Sequence, residues 1–266
     1  MIVQLLLSLF AIFFSGCGGD GDSASGQLTG GCSLYAIANG DKCGKERGPI
    51  AFLGIISPGQ GYSGTCTGTF ITPNKILTAA HCFQGAASAR VLSGDYASEV
   101  VQVIKHPRWR NNINNKYDVA VVVVRDPIDV PPLPLLVSVF PGPGLLIRAM
   151  GYGLDETRDP GYNKDHEDRL KGALMVIASV DQNFFYSTFA SSDAAICLGD
   201  SGGPAISWNA SGVAGIIGVS HAIYAPSDSM GLPICDNEQV VSIFVPVADN
   251  EIINFILTHA PEAGIL

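Results

Sequence analysis

Short apolar runs alternate with turn residues from about residue 49 to residue 247, and this pattern limits the elements that the chain can form. The runs are four to eight residues long and lie at 50–56, 68–71, 100–104, 119–124, 145–150, 174–178, 203–207, 215–220 and 240–247. Runs of this length suit β-strands, whereas buried helices usually need about ten residues or more. The chain also has 31 glycines and 16 prolines to supply turns, as β-rich chains do. We therefore predict an all-β fold.

One segment near the C-terminus has the period of a helix instead. Its apolar positions 252, 253, 256 and 257 recur at helical spacing, and Asp249 or Asn250 precedes them. Asp and Asn side chains accept hydrogen bonds from the free N–H groups at the start of a helix. The pattern predicts a helix over about 249–259.

Composition and charge restrict the partners of the chain. Its 266 residues are 47% hydrophobic and 15% charged, which suits one globular domain with two small cores. The formal net charge is −9. A nucleic-acid backbone would repel such a surface, so we predict no nucleic-acid partner.

The N-terminus has the pattern of an export signal. Residues 1–16 are almost entirely apolar, and this stretch is too short for a typical membrane-spanning helix. It ends in Phe14-Ser15-Gly16-Cys17, which resembles a bacterial lipobox, although Phe14 stands where leucine is usual. We predict a signal peptide over 1–16 and a lipidated tether over 17–36, with Cys17 as the lipid-bearing residue. The alternative is a plain secretory signal in which Cys17 has no role.

Three motifs carry residues suited to nucleophilic catalysis, in the order His, Asp, Ser. His81 lies in Thr-Ala-Ala-His-Cys at 78–82, Asp118 precedes a long apolar run, and Ser201 lies in Gly-Asp-Ser-Gly-Gly-Pro at 199–204. A serine hydroxyl becomes a good nucleophile only when a neighbouring base accepts its proton. The glycines around Ser201 would let the backbone approach a substrate closely.

Together these motifs resemble the trypsin/chymotrypsin family of serine endopeptidases. The resemblance covers about residue 37 to the C-terminus and implies two six-stranded antiparallel β-barrels packed together with a C-terminal helix. The protease domain would span 37–266, with barrel one at about 37–126 and barrel two at about 135–247. The proline-rich segment 126–134 would cross between the barrels. The implied activity is hydrolysis of peptide bonds in proteins or peptides through an acyl-enzyme, with no cofactor and no metal.

The resemblance also assigns roles to individual residues. His81, Asp118 and Ser201 would form the catalytic triad, and the backbone N–H groups of Gly199 and Ser201 would form the oxyanion hole. Only Asp118 follows a tyrosine and precedes a long apolar strand, as the family requires. The other nearby aspartates, interpreted as surface turn residues, are Asp95, Asp126 and Asp129. The rival function is a protease-like binding module with weak catalysis, whose signature would be a lost triad residue.

Family members often begin with Ile-Val-Asn-Gly and have a proline twelve residues later. Here Ile37-Ala38-Asn39-Gly40 occurs, and Pro49 has the matching spacing. We therefore expect cleavage between residues 36 and 37, after which the Ile37 amine would pair with Asp200. The alternative is an ordinary strand start without processing.

The seven cysteines give an even set once Cys17 is set aside, as expected for an oxidising compartment. The family implies a Cys66–Cys82 bridge beside the histidine and a Cys197–Cys235 bridge beside the serine. Cys32 and Cys43 remain as a local pair. We expect an exported protein, either a periplasmic or cell-surface lipoprotein held at the membrane only by its lipid, or a secreted one.

The resemblance implies a narrow apolar specificity pocket. Ala195 stands at the pocket base, where trypsin-like members carry aspartate. Val219-Ser220-His221-Ala222 matches the family's Val-Ser-Trp-Gly wall, which makes Ser220, His221 and Ala222 substrate-binding candidates together with Ser242. We expect a small or medium apolar P1 residue. His221 replaces a tryptophan, so we expect it to contact substrate rather than a metal.

Overall fold

The computed structural model describes residues 41–42, 47–59, 62–86, 88–154 and 170–266. The predictions for the signal peptide, the tether, Cys17, Ile37 and the Cys32–Cys43 pair lie outside these residues or depend on residues outside them. The strands in the described part are β1 Asp41–Lys42, β2 Ile50–Ile56, β3 Tyr62–Thr72, β4 Lys75–Thr78, β5 Ser88–Ser93, β6 Tyr96–Lys105, β7 Ala120–Val124, β8 Leu146–Gly151, β9 Lys171–Val180, β10 Phe185–Thr188, β11 Pro204–Trp208, β12 Ala214–Tyr224 and β13 Val241–Pro246.

Barrel one is formed by the first group of strands. It closes in the order β2-β3-β4-β7-β6-β5, and each neighbouring pair is antiparallel. The apolar runs of the sequence supply its interior, where Phe52, Phe70 and Ile76 are almost completely buried. Burying side chains of this size stabilises a fold by about 1.5–3 kcal/mol each.

Barrel two is formed by the second group. Its strands follow the order β9-β10-β13-β12-β11-β8, and pairing of β8 with β9 closes the sheet. Phe185 and Phe244 stack inside it with ring centroids 5.0 Å apart. The short strand β1 adds to the outer side of β9. The predicted all-β fold with two six-stranded antiparallel barrels is therefore confirmed.

One short helix lies between strands of barrel two, and a second helix follows its last strand. Helix α1, Phe189–Ser192, is a single turn that the periodicity did not predict, while α2, Asn250–His259, closes the domain. Asp249 caps α2 by accepting hydrogen bonds from the N–H groups of Glu251 and Ile252. No helix in the described residues is both long and apolar enough to cross a membrane.

Candidate active site

Asp118 joins the turn that carries His81 to the start of β7. His81 lies in a 3₁₀ turn, Ala80–Phe83, directly after β4. One oxygen of Asp118, Oδ1, accepts a hydrogen bond from the His81 backbone N–H at 2.8 Å, and Oδ2 lies 2.6 Å from His81 Nδ1. The same carboxylate therefore fixes both the backbone and the ring of His81. The ring remains one-third exposed, while Asp118 is buried.

The Asp118 carboxylate is held in its ionised form. Burial by itself raises the pKa of Asp118, but hydrogen bonds from His221 and His81 outweigh burial and hold the pKa well below its ordinary value. An ionised carboxylate accepts hydrogen bonds and cannot donate them. The ring nitrogen Nδ1 of His81 therefore carries the hydrogen between them, which leaves Nε2 free to accept a proton.

The loop that carries Ser201 packs against barrel one. The Ser201 carbonyl oxygen accepts a hydrogen bond from the Thr67 N–H at 2.8 Å. The Sγ atom of Cys82 lies 3.7 Å from the same oxygen and 4.0 Å from Nε2 of His81. These contacts bring the Ser201 backbone beside the His81 ring. In the described part of the chain, the Ser201 hydroxyl is not hydrogen-bonded to His81; such bonds are often long before substrate binds.

Gly202 permits this close approach. Its φ is +84°, and a Cβ atom there would lie 2.0 Å from Thr78 Oγ1 and 2.4 Å from the Thr67 carbonyl oxygen. Both the backbone conformation and the space therefore require glycine. Gly202 therefore allows the loop that carries Ser201 to pack closely against barrel one.

Asp200 is enclosed by backbone groups. It is 2% exposed, and its carboxylate accepts hydrogen bonds from the N–H groups of Gly153 and Cys197, both at 2.8 Å. Gly151 and Gly153 leave room for it, since a Cβ on either would come within 2.5 Å of the carboxylate. Burial raises the pKa of Asp200 from 3.8 to about 6, although both amides and Lys171 favour the charged form.

Two disulfides brace the site. Cys66 on β3 is bonded to Cys82 in the 3₁₀ turn, and Cys197 before the serine loop is bonded to Cys235. Both pairs are those that the family resemblance implies. The first ties His81 to the strand that also holds Ser201.

Comparison with known proteins identifies this arrangement. The protein-family model described as Trypsin matches residues 37–247. The chain belongs to the trypsin family. A trypsin from Saccharopolyspora erythraea is 28% identical over 199 residues, which cover 64% of this chain and 81% of that protein. Chymotrypsin-like elastase family member 1 from Macaca fascicularis is 26% identical over 194 residues, covering 63% and 72%. The trypsin-family chain is a serine endopeptidase.

A solved structure of a collagenase supports the fold of this trypsin-family protein. The structure is titled HL collagenase and superposes with a TM-score of 0.63, covering 86% of this chain and 98% of that one. At 18% identity the likeness concerns the fold alone.

The residues expected to form the specificity pocket lie around barrel two. Ala195 is fully buried and packs with Phe189 and Val240. Ser242 is also buried, and its hydroxyl accepts a hydrogen bond from the Ile196 N–H at 3.2 Å. Ala222 lies half-buried on β12. Ser220 is buried next to it, and its hydroxyl oxygen has no hydrogen-bond partner in the described part of the chain.

His221 has an orientation that the sequence analysis missed. We expected its side chain to contact substrate, but the ring is 6% exposed and turned inward. Nδ1 lies 2.6 Å from Asp118 Oδ2, and Nε2 lies 2.8 Å from the carbonyl oxygen of Ile113. A register shift between Ser220 and Ala222 in the β12–β13 pairing produces this orientation. A bulge changes the direction in which the side chain of the bulged residue points. No local sequence motif predicts this bulge.

The donor atoms near His81 and Asp118 already have partners within the protein. The ligand atoms of His81, Asp118 and His221 lie within 4.8 Å of one another. Nδ1 of each histidine already lies at hydrogen-bond distance from Asp118 Oδ2. A second group combines His81 with Cys66 and Cys82, but those cysteines are bonded to each other. Hydrogen bonds and the disulfide account for both groups.

Proposed function

We propose that Ser201, His81 and Asp118 form a catalytic triad that hydrolyses peptide bonds. The observation that carries the proposal is the pair of bonds from the Asp118 carboxylate to the backbone and ring of His81, at 2.8 Å and 2.6 Å. They fix the tautomer in which Nε2 can act as a base. The Ser201 loop is anchored beside that ring through Thr67.

The reaction follows from these positions. Ser201 Oγ attacks the scissile carbonyl carbon while His81 Nε2 takes its proton, and Asp118 stabilises the imidazolium that forms. The C–N bond then breaks as His81 gives the proton to the leaving amine. Water attacks the acyl-enzyme by the same route and releases the acid. The backbone N–H groups of Gly199 and Ser201 stabilise the oxyanion, each by about 3 kcal/mol, and the φ of +99° at Gly199 supports this turn.

We propose that a small or medium apolar residue occupies the P1 site. Ala195, Ala222 and Ser242 carry no charge that could bind a long basic side chain. An apolar pocket distinguishes substrates by roughly 1–3 kcal/mol per methylene. Cleavage profiles on a peptide library should therefore rank Ala, Val and Leu above Arg and Lys at P1.

We also propose that cleavage after residue 36 frees the Ile37 amine to pair with Asp200. The support is chemical: a fully buried carboxylate whose pKa is raised to about 6 gains from a nearby cation. Removing one partner of a buried pair costs about 3–5 kcal/mol, so the uncut chain should fold and be nearly inactive. N-terminal sequencing of active enzyme tests this, and full activity in an uncut chain would exclude it.

We propose that Cys17 carries lipid and anchors the exported protein to a membrane surface. The disulfides of the described part suit an oxidising compartment. Cys17→Ser should release the protein from membranes or block its maturation. Mass spectrometry that finds an unmodified Cys17 in exported protein would contradict the proposal.

Single substitutions test the triad. Ser201→Ala, His81→Ala and Asp118→Asn should each lower kcat by about ten-thousandfold, and the double and triple variants should lose little more. Asp129→Asn is the matched control, since Asp129 is exposed on the crossover segment. Near-normal activity in Asp118→Asn, with loss in Asp129→Asn, would assign the acid elsewhere.

A further inference from the structure

His221 makes two hydrogen bonds whose acceptors cannot donate. Asp118 Oδ2 lies 2.6 Å from Nδ1, and the Ile113 carbonyl oxygen lies 2.8 Å from Nε2. A carbonyl oxygen only accepts, and so does an ionised carboxylate. Burial raises the pKa of Asp118, but the hydrogen bonds from His221 and His81 outweigh burial and keep the pKa below its ordinary value, so the carboxylate is ionised. Both nitrogens of His221 must therefore carry hydrogens, which makes the ring an imidazolium.

A stacking contact also holds the ring in this position. Phe184, between β9 and β10, stacks on it with a centroid distance of 5.1 Å and an interplanar angle of 6°. A cation against an aromatic face is attracted to it. The adjacent Ser220 hydroxyl has no partner among the described residues, so His221 and not Ser220 reaches the carboxylate. Asp118 then has its oxygens occupied by His81 and His221.

Few charged groups face His221 in the part of the chain that the structure describes. Asp118 and His81 face it from the elements of barrel one, with the His81 ring centroid 6.3 Å from that of His221. Burial lowers the pKa of Lys105 on β6, and the negative charge of Asp118 partly offsets this effect, so Lys105 also interacts with the same carboxylate. Two other described residues that contact the ring, Ile113 and Phe184, are not titratable.

We propose that His221 is a positioning residue of the triad, a buried imidazolium whose hydrogen bond holds Asp118 in place and whose positive charge acts on the neighbouring His81. The inference rests on the proposed triad. His221 acts through Asp118 and does not touch substrate. Its hydrogen bond fixes the carboxylate, and its charge disfavours a second cation on His81. Losing the bond should lower kcat, whereas losing only the charge should move the acidic limb of the pH profile upward.

Two substitutions separate the bond from the charge. In His221→Asn, the amide nitrogen takes the place of Nδ1 and keeps a donor for Asp118 without the charge. His221→Leu removes both. We expect His221→Leu to lower kcat by about 10- to 100-fold with an unchanged KM, and His221→Asn to retain most of kcat. In both variants the acidic limb of the pH profile of kcat/KM should shift to higher pH by about one unit. His259→Gln, on α2, is the control with an unchanged profile.

The charge on His221 can be measured by a method that does not depend on enzyme activity. In the Ser201→Ala chain, ¹⁵N-histidine NMR at pH 7 should show one ring with two N–H protons and imidazolium ¹⁵N shifts, absent in His221→Asn. This result stands even if the triad assignment fails. A neutral His221 would overturn the proposal, as would substitutions that change only KM, because the side chain would then contact substrate.

Discussion

The buried carboxylate of Asp200 should make the stability of this protein depend on pH in a way that one substitution removes. The perturbation is Asp200→Asn in an uncut Ser201→Ala chain, where self-digestion is absent. Asp200 is 2% exposed, and burial raises its pKa from 3.8 to about 6. The native state therefore binds this proton more tightly than the unfolded state does.

The sign and size follow from linkage. For a group whose folded pKa is raised, the stability is present below the unfolded pKa and is lost as pH rises through the folded pKa. The pKa difference of about two units, at about 1.4 kcal/mol each, gives a loss of about 3 kcal/mol between pH 4 and pH 7. Asparagine does not titrate, so the Asp200→Asn chain should lack this loss.

Urea unfolding at pH 4 and pH 7, followed by circular dichroism, measures the effect. Every other titrating group is shared, so the difference between the two chains in their pH-dependent change isolates Asp200. Identical pH dependence in both chains would refute the reasoning. Lys171→Met should enlarge the loss, because Lys171 favours the charged carboxylate. Cleavage after residue 36 should reduce this pH-dependent loss of stability if the Ile37 amine reaches Asp200.

Two further predictions concern the frame around the serine loop. Replacing Cys66 and Cys82 together by serine should lower the free energy of unfolding by about 3 kcal/mol, because the bridge closes a loop with a sequence separation of 16; equal urea midpoints for the two proteins would contradict this. Gly202→Ala should abolish activity and cost more than about 2 kcal/mol, since its Cβ would lie 2.0 Å from Thr78 Oγ1. Gly212→Ala is the control, because Gly212 has a similar φ of +77° but open space around it, and an equal cost in both would show that crowding is unimportant.

Much of the fold could be predicted from local sequence. The apolar runs became strands of two barrels, with ends that moved by a few residues, as at β7, which begins at Ala120 instead of residue 119. Asp249 proved to be the cap of α2. These features depend on neighbours within a few positions along the chain, so composition and period describe them well. The single turn of α1 has no such period and was missed.

The candidate site also combines features that local sequence predicts with features that only the tertiary structure sets. The sequence determined which residues could supply the chemistry, because a glycine-rich serine turn and a His-Cys pair are local motifs. Only the tertiary structure decided that His221 binds Asp118, a contact across 103 positions that no local motif predicts. It also decided that Gly151 and Gly153 enclose Asp200. The reason is that strand register and a bulge set which distant side chains meet, and both arise only when the barrels close and pack together.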